Sequence, residues 1–169
     1  MPNPDRPDVP AGYGIRPAGE GRLVDWAEVE GRLAAARNDW LVTASPRGRP
    51  HVAPIWGVWH GRAFIFGTDP DSRKGRNLAA NPSVSVHLES GDEVVIVEGR
   101  ARRLDAEASE PGLNEAYQLK YGVPLAGNPA YRVEPTRAFA WAEADFPESA
   151  TRWRFEQPGG EAPPAGSAR

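Results

Sequence analysis

Ala63-Phe64-Ile65-Phe66-Gly67-Thr68, followed after a short turn by Ser72-Arg73-Lys74-Gly75-Arg76-Asn77-Leu78-Ala79-Ala80-Asn81-Pro82, is the stretch on which the fold turns. The first run is apolar and rich in aromatic and β-branched residues, so it reads as a strand ending near Thr68. Asp71 or Ser72 can cap a short helix, and Asn81-Pro82 ends it. This junction gathers hydroxyl, guanidinium and ammonium donors at a helix start. Free backbone N–H groups, an aligned dipole and fixed cations are what a phosphate needs. The bland reading is a solvated charged face. Cations in a first turn oppose the helix dipole unless an anion offsets them. On the residues alone the two readings weigh equally.

Upstream, Asp25 can cap a helix from Trp26 to Arg37, with Val29, Leu33 and Ala36 on one face. Asp39–Ala44 reads as a buried strand, residues 46–50 as a turn, and His51–Trp59 (HVAPIWGVW) as one second strand. Pro54 and Gly57 lie within it, where Gly often marks a bulge or a close backbone approach. His60-Gly61 is a tight hairpin connection into the strand from Ala63. Downstream, Ser83–Glu89 alternates strictly, Ser90-Gly91-Asp92 turns the chain, and Glu93–Leu104 is a long strand. A helical region from Asp105 to about Tyr121, broken by Pro111-Gly112, and a loop to Pro129 follow. Tyr131–Val133, Arg137–Ala142 and Thr151–Phe155 read as further strands. About six antiparallel strands in hairpins with flanking helices imply an α+β, mainly β barrel. The absence of βαβ alternation excludes a dinucleotide-binding doubly wound sheet.

The 169 residues suffice for one domain, expected over 22–156. Residues 1–21, rich in Pro, Gly and charge, and residues 157–169 read as disordered tails. A net charge of −3 carries no basic bias for nucleic acid. No apolar stretch is long enough to span a bilayer and no signal peptide is visible, so the expectation is a cytoplasmic protein without a membrane partner. Cysteine is absent, which excludes disulfides and thiol chemistry. Of 20 cationic residues only Lys74 and Lys120 are lysines, an arginine bias against which Lys74 stands out.

Catalytic groups are scarce. The three histidines, His51, His60 and His87, are dispersed along the chain with no metal-ligand spacing. No serine lies in a nucleophile-elbow pattern and no carboxylates pair. Trp56, Trp59, Trp141 and Trp153 read as core packing or as walls for a planar ring.

Residues from about Trp40 to Leu104 resemble the flavin-binding split-barrel superfamily that includes pyridoxamine 5′-phosphate oxidase. The resemblance rests on Phe64–Thr68, Ser72-Arg73-Lys74-Gly75, Asn77–Pro82 and the alternating strand Ser83–Leu88, in that order. It implies a homodimeric split β-barrel with the cofactor in a groove between protomers. It implies that Thr68, Ser72, Arg73 and Lys74 hold the cofactor phosphate. Ile55, Trp56 and Gly57 match the strand that runs along the ring, and Asn77 a supporting position. By position Trp141, Arg152 and Trp153 are expected to close the pocket, from either protomer.

The departures are informative. The oxidases carry an Arg where Val52 falls and a Lys where Gly57 falls, and a C-terminal Arg-Leu-His-Asp-Arg run for pyridoxal phosphate that is not found in this sequence. The chain is more similar to the flavin/deazaflavin oxidoreductases of the superfamily than to a true pyridoxamine phosphate oxidase. The implied cofactor is FMN or coenzyme F420, and the implied activity is hydride transfer to or from a small organic substrate. The cofactor carries the chemistry, and no catalytic residue is assigned. Tyr131 and His51 are the acid–base candidates. The alternative is a non-catalytic split-barrel protein that binds or stores a flavin, F420 or haem.

Overall fold

The structure, a computed structural model, describes residues 2–17, 19–104, 110–125 and 129–156. Residues 105–109, where the third helical region was expected to begin, and the expected C-terminal tail lie outside them. In chain order the elements begin with β1 (Pro4–Asp5), α1 (Trp26–Ala35), β2 (Asp39–Ala44), β3 (Pro50–Ile55) and β4 (Gly57–His60). There follow β5 (Ala63–Gly67), α2 (Arg73–Ala80), β6 (Ser83–Leu88) and β7 (Glu93–Arg103). The last are α3 (Leu113–Tyr121), β8 (Ala130–Ala142), α4 (Phe146–Ser149) and β9 (Thr151–Arg154).

Among the described residues the strands form one antiparallel sheet of nine, where about six were expected. Pairing runs β3–β2–β6–β7–β8, and the first part of β8 also pairs β5, which pairs β4. The circuit is interrupted between β3 and β4, where the chain itself continues through Trp56. So the expected single strand His51–Trp59 divides in two. Pro54 lacks a ladder donor, and a Cβ on Gly57 would lie 2.2 Å from Phe64 Cζ, so glycine allows β4 to close on β5.

Conversely, Tyr131–Val133 and Arg137–Ala142 belong to one continuous strand. A register shift between Glu98 and Gly99 absorbs the irregularity around Pro135. A Cβ at Gly99 would lie 2.3 Å from the Glu134 carbonyl oxygen, which explains the glycine there.

The N-terminal segment, expected as a tail, contributes structure. Its strand β1 pairs with β9, and the buried Arg6 donates to the carbonyls of Glu148 and Ala150, each at 2.9 Å. Arg152 bonds Asp5 at 2.7 Å and also pairs with Asp8. A two-residue strand and long-range ion pairs have no periodic signature, so composition missed them.

Three apolar clusters fill the fold. One packs α1 (Trp26, Val29, Leu33) on Val95, Val97 and Trp153. A second fills the barrel with Leu41, Ile55, Phe64, Phe66 and Val86. The third seats α3 through Leu113, Tyr117 and Tyr121 on Val58 and Ile65. Among the described residues no helix is long and apolar enough to cross a membrane.

Candidate cofactor site

The start of α2 is tightly built. Thr68, just beyond β5, is buried, and its Oγ1 lies 3.2 Å from Ser72 Oγ. Ser72 is the N-cap residue, and its Oγ accepts from the Gly75 N–H at 3.0 Å. Asp25 holds the equivalent position before α1, yet its side chain makes no capping bond. A Cβ on Gly75 would sit 2.4 Å from the Asp69 carbonyl oxygen and 2.6 Å from that of Pro70. Only glycine lets the preceding turn fold down onto the first helical turn. Asn77 is buried and donates from Nδ2 to Thr43 Oγ1 at 3.0 Å, which fastens α2 to β2.

Arg73 is exposed and Lys74 half-buried, and among the described residues neither side chain makes a hydrogen bond or an ion pair. Their charges sit at the positive end of the helix dipole without a counterion, an arrangement that favours an anion there. His51, half-buried on β3 and in register with Thr43, is beside them. Burial lowers the His51 pKa, and the charges of Arg73 and Lys74 lower it further.

An anion seated among these groups reverses the second effect. By linkage it therefore binds more tightly as pH falls through the imidazole range. Sulfate, whose charge is constant there, is expected to gain up to about tenfold in affinity between pH 7.5 and 5.5. Calorimetry checks this; a His51→Asn variant that keeps the same slope removes His51 from the site.

The segment expected along the ring lies at the other end of β3. From His51 to Ile55 is about 13 Å of extended chain, so an elongated ligand is needed to touch both. Ile55 is buried and Trp56 partly exposed. The Trp56 indole stacks on Tyr121 with centroids 4.7 Å apart, and the Arg37 guanidinium lies 5.2 Å from its ring. The Gly57 N–H donates to Tyr121 Oη at 2.8 Å, and the Gly57 carbonyl accepts from Tyr121 Oη and Lys120 Nζ, both at 2.8 Å.

The structure thus brings Thr68, Ser72, Arg73, Lys74 and Asn77 together and adds Thr43 and His51. Val52, where the oxidases carry an Arg, faces outward and is 48% exposed. Three other expectations change. Trp153 is fully buried in the core, 5.2 Å from Trp26, and is not part of an open pocket. Arg152 is occupied by Asp5 and Asp8. Tyr131 lies inside the barrel, stacked on Phe66 at 5.7 Å. Trp141 is half-buried and meets Phe146 edge-on at 5.6 Å. Sequence reading did not single out Thr43, Lys120 or Tyr121; the rarity of lysine was the one available signal for Lys120.

The family profile described as pyridoxamine 5′-phosphate oxidase matches residues 26–145, which include the whole α2 junction and the strands around it. The chain belongs to the pyridoxamine 5′-phosphate oxidase family. A pyridoxine/pyridoxamine 5′-phosphate oxidase of Alcanivorax borkumensis is 34% identical over 146 residues, covering 82% of this chain and 68% of that protein. The namesake of Paraburkholderia xenovorans is 41% identical over 86 residues, and the match spans only 40% of its length.

Among solved structures, a conserved hypothetical protein of Mycobacterium tuberculosis superposes with a TM-score of 0.62 at 23% identity, covering 76% of this chain and 89% of that one. An F420 reductase superposes at 0.50 and 23% identity, covering 73% and 98%. Both structures share the split-barrel fold of the family.

Proposed function

We propose that this family member binds FMN or coenzyme F420 and transfers a hydride between it and a small organic substrate. The observation that carries the reading is the pair of cations Arg73 and Lys74, whose side chains have no partner among the described residues, at the Ser72-capped start of α2. With the buried Thr68 hydroxyl they fit the phosphate group of such a cofactor. When bound, the cofactor supplies the hydride chemistry at its ring. Ser72, Arg73 and Lys74 bind and orient its phosphate end. Asn77 holds α2 against β2, and Ile55–Gly57 give the ring a firm backbone edge.

A second copy of the chain is part of the proposal. Val42 pairs with Val52, Ile96 with Phe139 and Val94 with Trp141 across neighbouring strands, and each of the six is partly or well exposed. Such an apolar sheet face supports a homodimer whose partner walls the groove.

The test is the absorbance spectrum and mass of whatever co-purifies from a host that makes both cofactors, followed by turnover with a panel of acceptors. A bound flavin or deazaflavin oxidised only when acceptor is present is the expected result. Tight binding without acceptor-dependent oxidation, or a haem spectrum, supports the storage reading instead.

A further inference from the structure

Where β3 gives way to β4, one face of α3 takes over the backbone. Tyr117, Lys120 and Tyr121 stand at i, i+3 and i+4 of that helix. Tyr117 Oη donates to the Trp56 carbonyl at 3.5 Å, a long bond. Tyr121 Oη accepts from the Gly57 N–H and, like Lys120 Nζ, donates to its carbonyl, these three at 2.8 Å. Consecutive backbone polar groups at the break are thus satisfied by one helix face rather than by a neighbouring strand.

Lys120 does more than fill an acceptor. It also donates to the Leu33 carbonyl at 3.0 Å and lies 3.7 Å from Asp39 Oδ2. Asp39 opens β2, is fully buried, is in register with Ile55, and among the described residues neither of its carboxylate oxygens has a hydrogen bond. Burial pushes the Asp39 carboxyl up to about 7 against the pull of Lys120, and burial likewise lowers the Lys120 ammonium. A buried, poorly solvated ion pair of this kind is a weak source of stability. Its position gives it another use, because it ties β2 and the end of α1 to the carbonyl of Gly57.

We propose that Lys120 is a positioning residue for the cofactor ring: with Tyr121 it holds the Ile55–Gly57 backbone in place, and Asp39 supplies the counter-charge that keeps its ammonium there. The inference rests on the reading that Ile55–Gly57 carry the ring. The phosphate end of the site does not depend on it, because Ser72, Arg73 and Lys74 have no bonds to α3.

Two variants test it. Tyr121→Phe removes both phenol bonds and keeps the ring that stacks on Trp56. Asp39→Leu combined with Lys120→Met replaces the ion pair with apolar groups of similar volume, so that no buried charge is left alone. Three quantities are measured on each variant and on the unaltered protein: affinity for FMN and F420, affinity for inorganic phosphate, and amide exchange at Gly57. The expected result is faster Gly57 exchange and about tenfold to a hundredfold weaker cofactor binding, with phosphate affinity unchanged. Equal losses for cofactor and phosphate, or faster exchange with unchanged cofactor affinity, overturn the positioning role. If the unaltered protein takes phosphate but neither cofactor, the proposed function fails instead.

Discussion

Arg73→Ala combined with Lys74→Ala is expected to weaken binding of FMN or F420 by about two to four orders of magnitude while leaving the thermal midpoint almost unmoved. Each charged hydrogen bond to a phosphate contributes about 1.5–3 kcal/mol, so two contribute about 3–6 kcal/mol. Neither side chain has a protein partner among the described residues, so folding loses nothing when they are removed. Two cations in the first turn of α2 are mildly unfavourable to the helix, by a few tenths of a kcal/mol each. Their removal slightly favours the free protein. Calorimetric titration with each cofactor and a thermal scan give both quantities. Unchanged affinity would place the phosphate elsewhere and sink the site.

That junction was readable from the sequence because its determinants are local. Ser72 caps a helix three residues before the glycine whose N–H it accepts, and Asn81-Pro82 stops it. Alternation fixed the faces of β6, where Val84, Val86 and Leu88 are buried while Ser85 and His87 are half-buried. The break at Trp56 was legible only in part: Pro54 and Gly57 marked an irregularity, but the group that holds Gly57 there, Tyr121, is 64 residues away. The stretch between Val133 and Arg137 erred in the other direction. It was read as a gap between two strands, yet the register shift at Glu98/Gly99 lets β8 run through it. His51 was noticed only as an acid–base candidate. Its place beside Arg73 and Lys74 arises because β3 folds back on β2, which Asn77 ties to α2.

Arg152 and Trp153 illustrate why strand alternation fails at a covered edge. In β9 the residues Thr151, Arg152 and Trp153 are all buried; β1 pairs along its edge, and Asp5 and Asp8 take the Arg152 guanidinium. Asp5 opposes Arg152 and Pro4 opposes Trp153 in that pairing. An arginine beside a tryptophan near a chain end invited a reading as pocket walls, whereas here the first neutralises the N-terminal carboxylates and the second packs the core.

The two roles for Trp153 make opposite predictions. As a core residue it meets Trp26 at 5.2 Å, and Trp26 in turn meets Trp59 at 5.4 Å and Phe155 at 5.1 Å. Trp153→Ala is therefore expected to cost about 3–5 kcal/mol through lost burial and an unfilled cavity. In a chain of this size that lowers the thermal midpoint by about 10 °C or more. Trp153→Phe should cost much less, since the indole N–H has no hydrogen-bond partner to lose among the described residues. Cofactor affinity per folded molecule should stay within about twofold in both variants, because neither touches the α2 junction or the Gly57 backbone. This is the reverse of the Arg73/Lys74 outcome, in which binding is lost and stability kept. If Trp153→Ala abolished binding and left the midpoint in place, the tryptophan would belong to the pocket after all, and the packing of β9 against α1 would have to be redrawn.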